Sequence, residues 1–266
     1  MTHPRRLVCD IIDMARRMPL APLERTIDVS EVQHWRRQIR PRPAWPVIMM
    51  RAYALAAVDN PLMRRVYVPL PWQRYYEHHE STCLLTIQRE FRGEPQLIFA
   101  RFTQPENFTL AQLQERYDRY RRSPLDEFRH LRHQFRFSRL PWLFRRLGWG
   151  LMTGWMPITR AKQMGTFGMS LSGLGDTTGT FHLGPCTTTL GFDQMCRGGR
   201  ARLTLTFDHR VLDGKPAMDI LEAVRQRLHD CVCQELKRMA RRQNGTIRRY
   251  RPGAVVPGEG ENQRAA

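Results

Sequence analysis

Leu203-Thr-Leu-Thr-Phe-Asp-His-Arg-Val-Leu-Asp-Gly214 is the stretch on which the reading of the fold turns. Apolar residues alternate with threonine through Phe207, the period of a half-buried strand. That strand runs directly into Asp208-His209, and His209 stands four residues ahead of Asp213-Gly214. A histidine at a strand end meets a cleft while rigid backbone holds it, which is what a general base requires. Gly214 permits a sharp turn into a following helix that carries Ala217, Leu221, Val224, Leu228 and Val232 on one face. An H-x-x-x-D-G match by itself is a weak signal, so the rest of the chain decides its weight.

Upstream of this stretch the texture is strand-like: FGMSLSGLG from Phe167, CTTTLGF from Cys186 and RARLTLTF from Arg200. Toward the N-terminus, Leu7, Ile11, Met14 and Met18 recur at helical spacing, predicting a helix that ends near Pro19. LERTIDVS, from Leu23, alternates as a strand, and Ser30 is placed to cap a helix through Ile39. Beyond the proline-rich stretch from Pro41 to Pro46 a second helix is expected from Val47 to Val58. Cys83 to Phe91 and Gln96 to Phe102 flank Arg92-Gly93-Glu94-Pro95 as a β-hairpin, and Leu110 to Arg121 is helical again. No repeat or linker divides residues 1–240, which read as one catalytic domain; from Arg241 to Ala266 the chain is polar and aperiodic and reads as a disordered tail.

The 266 residues hold 43 Lys+Arg against 25 Asp+Glu, a formal charge of +18, and 41% are hydrophobic, which excludes a wholly disordered chain. Only Lys162, Lys215 and Lys237 are lysines. Such charge gathers anions and would help capture a phosphorylated ligand. Nucleic acid is not the expected partner, because no DNA- or RNA-reading motif accompanies it. The six cysteines include no CxxC pair, which suits neither a zinc knuckle nor a disulfide framework. His78-His79-Glu80 resembles a metal cluster only superficially, since neighbours on a strand face opposite ways, and no metal is expected. Asp10 and Asp13 interrupt what would be the apolar part of a secretory signal, so a cytoplasmic compartment is expected, with peripheral membrane contact left open.

Residues 121–162 differ from the rest, with ten basic residues against Asp126 and Glu127 and with Trp142, Trp149 and Trp155 among Leu, Phe and Met. The longest charge-free run, Leu147 to Thr159, is well short of the ~20 residues of a membrane-spanning helix. Three readings stand: contact with an anionic membrane surface, cover for an apolar acyl group, or a pair of helices packed on the core with an arginine-rich outer face.

DHRVLDG after an alternating strand resembles the signature of the catalytic domain of dihydrolipoamide acyltransferases, the core subunits of 2-oxo acid dehydrogenase complexes. Chloramphenicol acetyltransferase shares that fold and a related H-x-x-x-D-G motif. SLSGLG at 170–175 resembles the family's T-I-S-N-L-G strand, and Phe181, Gly184-Pro185 and Thr189-Leu190-Gly191 resemble its F…N-P…I-L-G stretch. PRRLVCDIIDMARRM followed by TIDVSEV is similar to the first helix and strand, so the resemblance spans about residues 4–238. It implies an α/β, chloramphenicol acetyltransferase-like two-layer sandwich with a mixed sheet flanked by helices. His209 would be the general base, and Ser172, or Ser170 if the register slides, would donate to the oxyanion. Asp213 would pair with an arginine near the start of the first helix, where Arg5 fits best and Arg6 is close behind. A homotrimer is implied, with His209 of one subunit meeting Ser172 of its neighbour.

The family's full-length members carry lipoyl domains and a flexible arm, which this sequence lacks. Ile87 to Arg101 also lacks the G-L-V-V-P-V run, and 121–162 is not a typical part of the core. The expectation is therefore a stand-alone acyltransferase. It would take an acyl group from acyl-coenzyme A, or from a separate lipoyl or acyl-carrier partner, to a thiol or hydroxyl acceptor, with no lipoyl group on this chain. The alternatives are a non-catalytic scaffold subunit of a dehydrogenase-type assembly, or a protein that binds membrane surfaces through its basic face.

Overall fold

Alternating burial along the strands sets the two faces of the central sheet. The computed structural model describes residues 2–91, 93–172, 184–196 and 198–249. Six strands pair in the order β1 (Leu20–Asp28), β8 (Arg200–Asp208), β7 (Thr188–Cys196), β6 (Phe167–Ser172), β4 (Thr82–Phe91) and β5 (Glu94–Thr103). The β7–β6 and β6–β4 pairs are parallel and the others antiparallel, which makes the sheet mixed, as expected. β2 (Arg65–Val68) and β3 (Arg74–Glu77) form a separate two-stranded ribbon.

On one face, Cys83, Leu85 and Ile87 of β4 join Ile98, Ala100 and Phe102 of β5, Leu190 and Phe192 of β7, and Ala201, Leu203, Leu205 and Phe207 of β8. These pack against α3 (Trp45–Asp59), α4 (Leu110–Arg122), α8 (Gly214–Arg227) and α9 (Cys233–Arg249), while α2 (Ser30–Arg37) packs on α9. α3 is apolar on nearly every side because the sheet and helices surround it, and Tyr53 at its centre is fully buried. The Tyr53 hydroxyl donates to Thr188 Oγ1 at 2.8 Å, and burial holds this phenol well above its ordinary pKa. Leu84 and Phe99 point to the opposite face. There they form a smaller core with Leu7, Val8, Ile11 and Met14 of α1 (His3–Ala15), Met152 of α6 (Trp142–Gly154) and Met164 of α7 (Pro157–Met164). α5 (Arg129–Arg139) packs beside α1.

Several boundaries move from their expected places. α1 stops at Ala15 and β1 begins at Leu20, and Pro22 is accommodated because β1 is an edge strand. The hairpin loop is shorter than predicted, since Phe91 pairs with Glu94 and Gly93 takes a φ of 78°, the left-handed region that such tight turns use. Residues 121–162 form three successive helices, α5 to α7, rather than a pair. The tail does not begin at 241, because α9 is helical through Arg249; residues 250–266 lie outside the described residues.

Tyr53→Phe is expected to lower unfolding free energy by about 1 kcal/mol, the worth of one hydrogen bond. Tyr53→Ala should cost roughly 3–5 kcal/mol through the cavity it leaves. Urea titration of both variants checks the pair; equal costs would show that the hydroxyl rather than the ring carries the site.

Candidate active site

β8 ends on Asp208, whose side chain alternates away from the Phe207 face and is completely buried. Its carboxylate accepts from the Arg210 backbone N–H (3.1 Å), from Nε (2.9 Å) and from Nη2 (2.7 Å). The Asp208 carbonyl accepts from the N–H groups of Val211 and Leu212 at 2.9 and 3.1 Å, and its own N–H donates to Thr187. The Asp208–Leu212 turn is thus knitted around one buried anion, whose cost is offset by a cationic fork. The β2–β3 ribbon closes on the same turn. The Arg210 guanidinium lies 4.6 Å over the Tyr67 ring, and the Tyr75 hydroxyl donates to the Arg210 carbonyl at 2.6 Å.

Between these anchors sits His209. Its backbone N–H donates to the Pro19 carbonyl at 2.9 Å, fastening it to the segment that joins α1 to β1. Its imidazole is half exposed, and its ring centroid lies 5.6 Å from that of Phe207. Nδ1 lies 3.5 Å from Asp213 Oδ1, and Asp213 is 85% exposed at the N-cap of α8. A proton on Nδ1 is favoured by that carboxylate, which leaves Nε2 as the basic nitrogen.

Beside the turn a cavity of about 130 Å³ is bordered by Met18, Tyr67, Trp142, Trp149, Arg160 and Arg210. Arg160 is a buried cation that donates to the carbonyls of Pro185 (2.6 Å) and Tyr67 (3.5 Å). Burial pushes its pKa down and the neighbouring Arg210 adds to that, while Asp208 works in the opposite direction. Composition alone gave no signal for Arg160. Asp208 and Arg210 stood inside the quoted motif, with only strand alternation to mark the aspartate.

The structure brings His209 and Asp213 together but separates both from Ser172. Ser172 ends β6 opposite Asp193, which pairs in turn with Arg202, whereas Phe167 at the other end of β6 is level with Thr188 and Phe207. Seven residues along β8 therefore part the level of Ser172 from His209, roughly 23 Å at the usual rise of a strand. The same count places Ser170 somewhat nearer, still far beyond contact. The side chain of Ser172 and residues 173–183 lie outside the described residues.

Arg5 does not serve the expected role. Among the described residues the ion pair of Asp213 is with His209, and Arg5 is exposed in the first turn of α1. His209 binds beyond the other end of that helix, about 15 Å away along its axis. Asp208 and Arg210 fix the loop instead. Gly214 opens α8 with open space where a Cβ would stand and without a left-handed φ, so the turn itself does not demand glycine.

This sheet order, backed by helices and ending in a histidine turn, is the chloramphenicol acetyltransferase-like acyltransferase fold. The chain is similar to the cubic core of the pyruvate dehydrogenase multienzyme complex, with 17% identity, TM-score 0.60, and 86% of this chain and 90% of that one covered. It is also similar to the dihydrolipoamide acetyltransferase of Azotobacter vinelandii, with 15% identity, TM-score 0.61, and 86% and 90% covered. Work on that enzyme's catalytic mechanism addresses a serine, a histidine and an asparagine four residues after the histidine. Chloramphenicol acetyltransferase is a third neighbour, at 14% identity and TM-score 0.50 over 82% of this chain and 94% of that one. At these identities the likeness is one of fold. No protein-family model matches the sequence, and no curated protein matches it.

Asp208→Ala should destabilise the protein by roughly 3–5 kcal/mol, because it strips a partly buried guanidinium of its counter-charge. Arg5→Ala should stay within about 0.5 kcal/mol of the parent, as exposed substitutions do. Denaturant unfolding compares them, and a costly Arg5→Ala would restore the pairing that the sequence suggested.

Proposed function

We propose that this protein is an acyltransferase that moves an acyl group from a thioester donor to a thiol or hydroxyl acceptor, with His209 as general base. The observation that carries this reading is His209 itself: an accessible imidazole at a strand end, its Nδ1 facing Asp213, in a turn held by the Asp208–Arg210 pair. Nε2 takes the proton from the acceptor as its sulfur or oxygen attacks the thioester carbonyl. The Asp213 carboxylate stabilises the imidazolium that forms. The tetrahedral oxyanion then collapses, the carbon–sulfur bond of the donor breaks, and the leaving thiolate takes the proton back from Nε2.

Ser172 is the proposed oxyanion donor, a role worth roughly 3–4 kcal/mol of transition-state stabilisation. In this reading the distance from Ser172 to His209 along the sheet calls for the two to come from different subunits. A homotrimer provides such an interface, and the neighbours that form cores of multienzyme complexes support a multimeric arrangement. The serine and histidine investigated in the Azotobacter enzyme support the same assignment, with Asp213 at the spacing of its asparagine. Coenzyme A is the proposed donor thiol, and a separate lipoyl or acyl-carrier protein is the alternative source. The arginines around the cavity beside Arg210 suit the phosphates of either.

Thiol release from a panel of acyl-coenzyme A and carrier-bound donors, with pooled thiol and hydroxyl acceptors, tests the reading. His209→Ala should lower turnover by about 10²–10⁴-fold. Co-assembly of His209→Ala chains with Ser172→Ala chains should restore about a quarter of parental activity, the statistical share of interfaces that join two intact residues. Turnover that survives His209→Ala, or no turnover with any donor, would reject the proposal, and absent complementation would reject Ser172 as the donor that a neighbouring subunit supplies.

A further inference from the structure

α6 wears its apolar stripe on the outside. Leu143, Leu147 and Leu151 recur every fourth residue beside Trp142 and Phe144, and all five are 48–64% exposed. Nine of the 16 large exposed apolar residues fall between Leu140 and Ile158, which makes this a patch rather than scatter. Leu70 and Trp72, in the loop of the β2–β3 ribbon, extend it, since the Leu70 N–H donates to the Gly154 carbonyl at 3.1 Å. The helix cannot roll to hide the stripe, because its inner face is pinned. Arg145 forks onto Asp10 of α1 at 2.9 and 3.1 Å, both side chains are nearly buried, and Trp149 Nε1 donates to the same carboxylate at 3.2 Å.

The segment that carries the patch is cationic, and Arg146 lies 5.2 Å over the Trp142 ring on the patch itself. Eight Arg and Lys and no Asp or Glu occur between Phe128 and Met164, and six of these cations, from Arg129 to Lys162, are exposed. Aromatic and leucine side chains set within arginine describe a helix that lies in the headgroup region of an anionic bilayer. At 13 residues α6 is about 20 Å long, short of the ~30 Å hydrocarbon layer. A second copy of the chain is the poorer match, since a two-fold contact would press two copies of the same all-cationic segment together and a heterologous contact, as in a trimer, would set it against another surface of a chain of formal charge +18.

We propose that the α6 face docks on the surface of a membrane rich in anionic lipid, with Trp142, Leu143, Phe144, Leu147 and Leu151 entering the acyl boundary. The proposal does not depend on the acyltransferase reading, because binding is read without turnover. Flotation of the full chain with phosphatidylcholine vesicles, with and without phosphatidylglycerol, tests it. Binding should require phosphatidylglycerol and weaken with salt. Leu143→Ser/Phe144→Ser/Leu147→Ser and Arg132→Gln/Arg136→Gln/Arg139→Gln should each reduce binding at least tenfold, while Met218→Ser, an exposed methionine on α8, should bind as the parent does. Thermal unfolding of each variant confirms that the fold is kept. No flotation of the parent, or flotation that the serine variant does not weaken, overturns the proposal. So does self-association of the parent that the serine variant abolishes without any vesicle binding, which would assign the face to a second copy. Equal affinity of parent and serine variant for vesicles and for DNA would reduce the face to charge alone and would also overturn it.

Discussion

A carboxylate with no access to water must be answered by charge and hydrogen bonds or it will not stay ionised at the end of a strand. Asp208 is answered by Arg210, which reaches it through both backbone and side chain, and that one pair converts the end of β8 into a turn of fixed shape. The rest of the site is arranged on this turn. Tyr67 and Tyr75 of the ribbon close on Arg210, and Pro19 receives the His209 N–H. The imidazole is then held by its own backbone on a support that three separate segments share. A general base, the role proposed for His209, needs this kind of placement, because a displacement of about 0.5 Å is felt in proton transfer.

The sheet register imposes the second constraint. β6, β7 and β8 lie side by side in fixed alignment, so the distance between Ser172 and His209 is a property of the sheet and no loop movement can abolish it. A chain of this fold can join a base at one end of the sheet to an oxyanion donor at the other only by meeting another chain. Under the proposed roles of Ser172 and His209, oligomerisation belongs to the chemistry as well as to stability.

The sequence made the sheet legible because its strands bury alternate side chains against real layers, and burial is what period-2 patterning records. The helical face of Ala217, Leu221, Val224, Leu228 and Val232 was legible for the same reason, and all five are buried. Periodicity does not say what covers a face. α6 has the amphipathic pattern of a core helix, and the contacts of Arg145 and Trp149 with Asp10, between residues far apart in the chain, turn its leucines away from the core. The acid that fixes the histidine turn was hidden in a similar way. Asp208 and Asp213 flank His209 in one motif, and spacing cannot tell a fully buried carboxylate from one that is 85% exposed. Arg5 failed because a pairing along the chain was assigned to a helix whose opposite end meets the site.

The Asp10–Arg145 pair therefore has two consequences. It presents the leucine face of α6 to the exterior, and it also holds Trp149 against the cavity that Arg160 and Arg210 border. Trp142 belongs to both surfaces, exposed on the outer patch and lining the cavity. One helix is thus shared by the cationic apolar surface and the pocket beside the histidine turn, with Trp142 and Arg146 on both. A rigid two-sided helix of this kind couples where the protein sits to what can reach its cavity without any change of conformation. Any ligand that reaches the cavity from this side passes between the indole of Trp142 and the guanidinium of Arg210, an apolar and a cationic contact on the same lining.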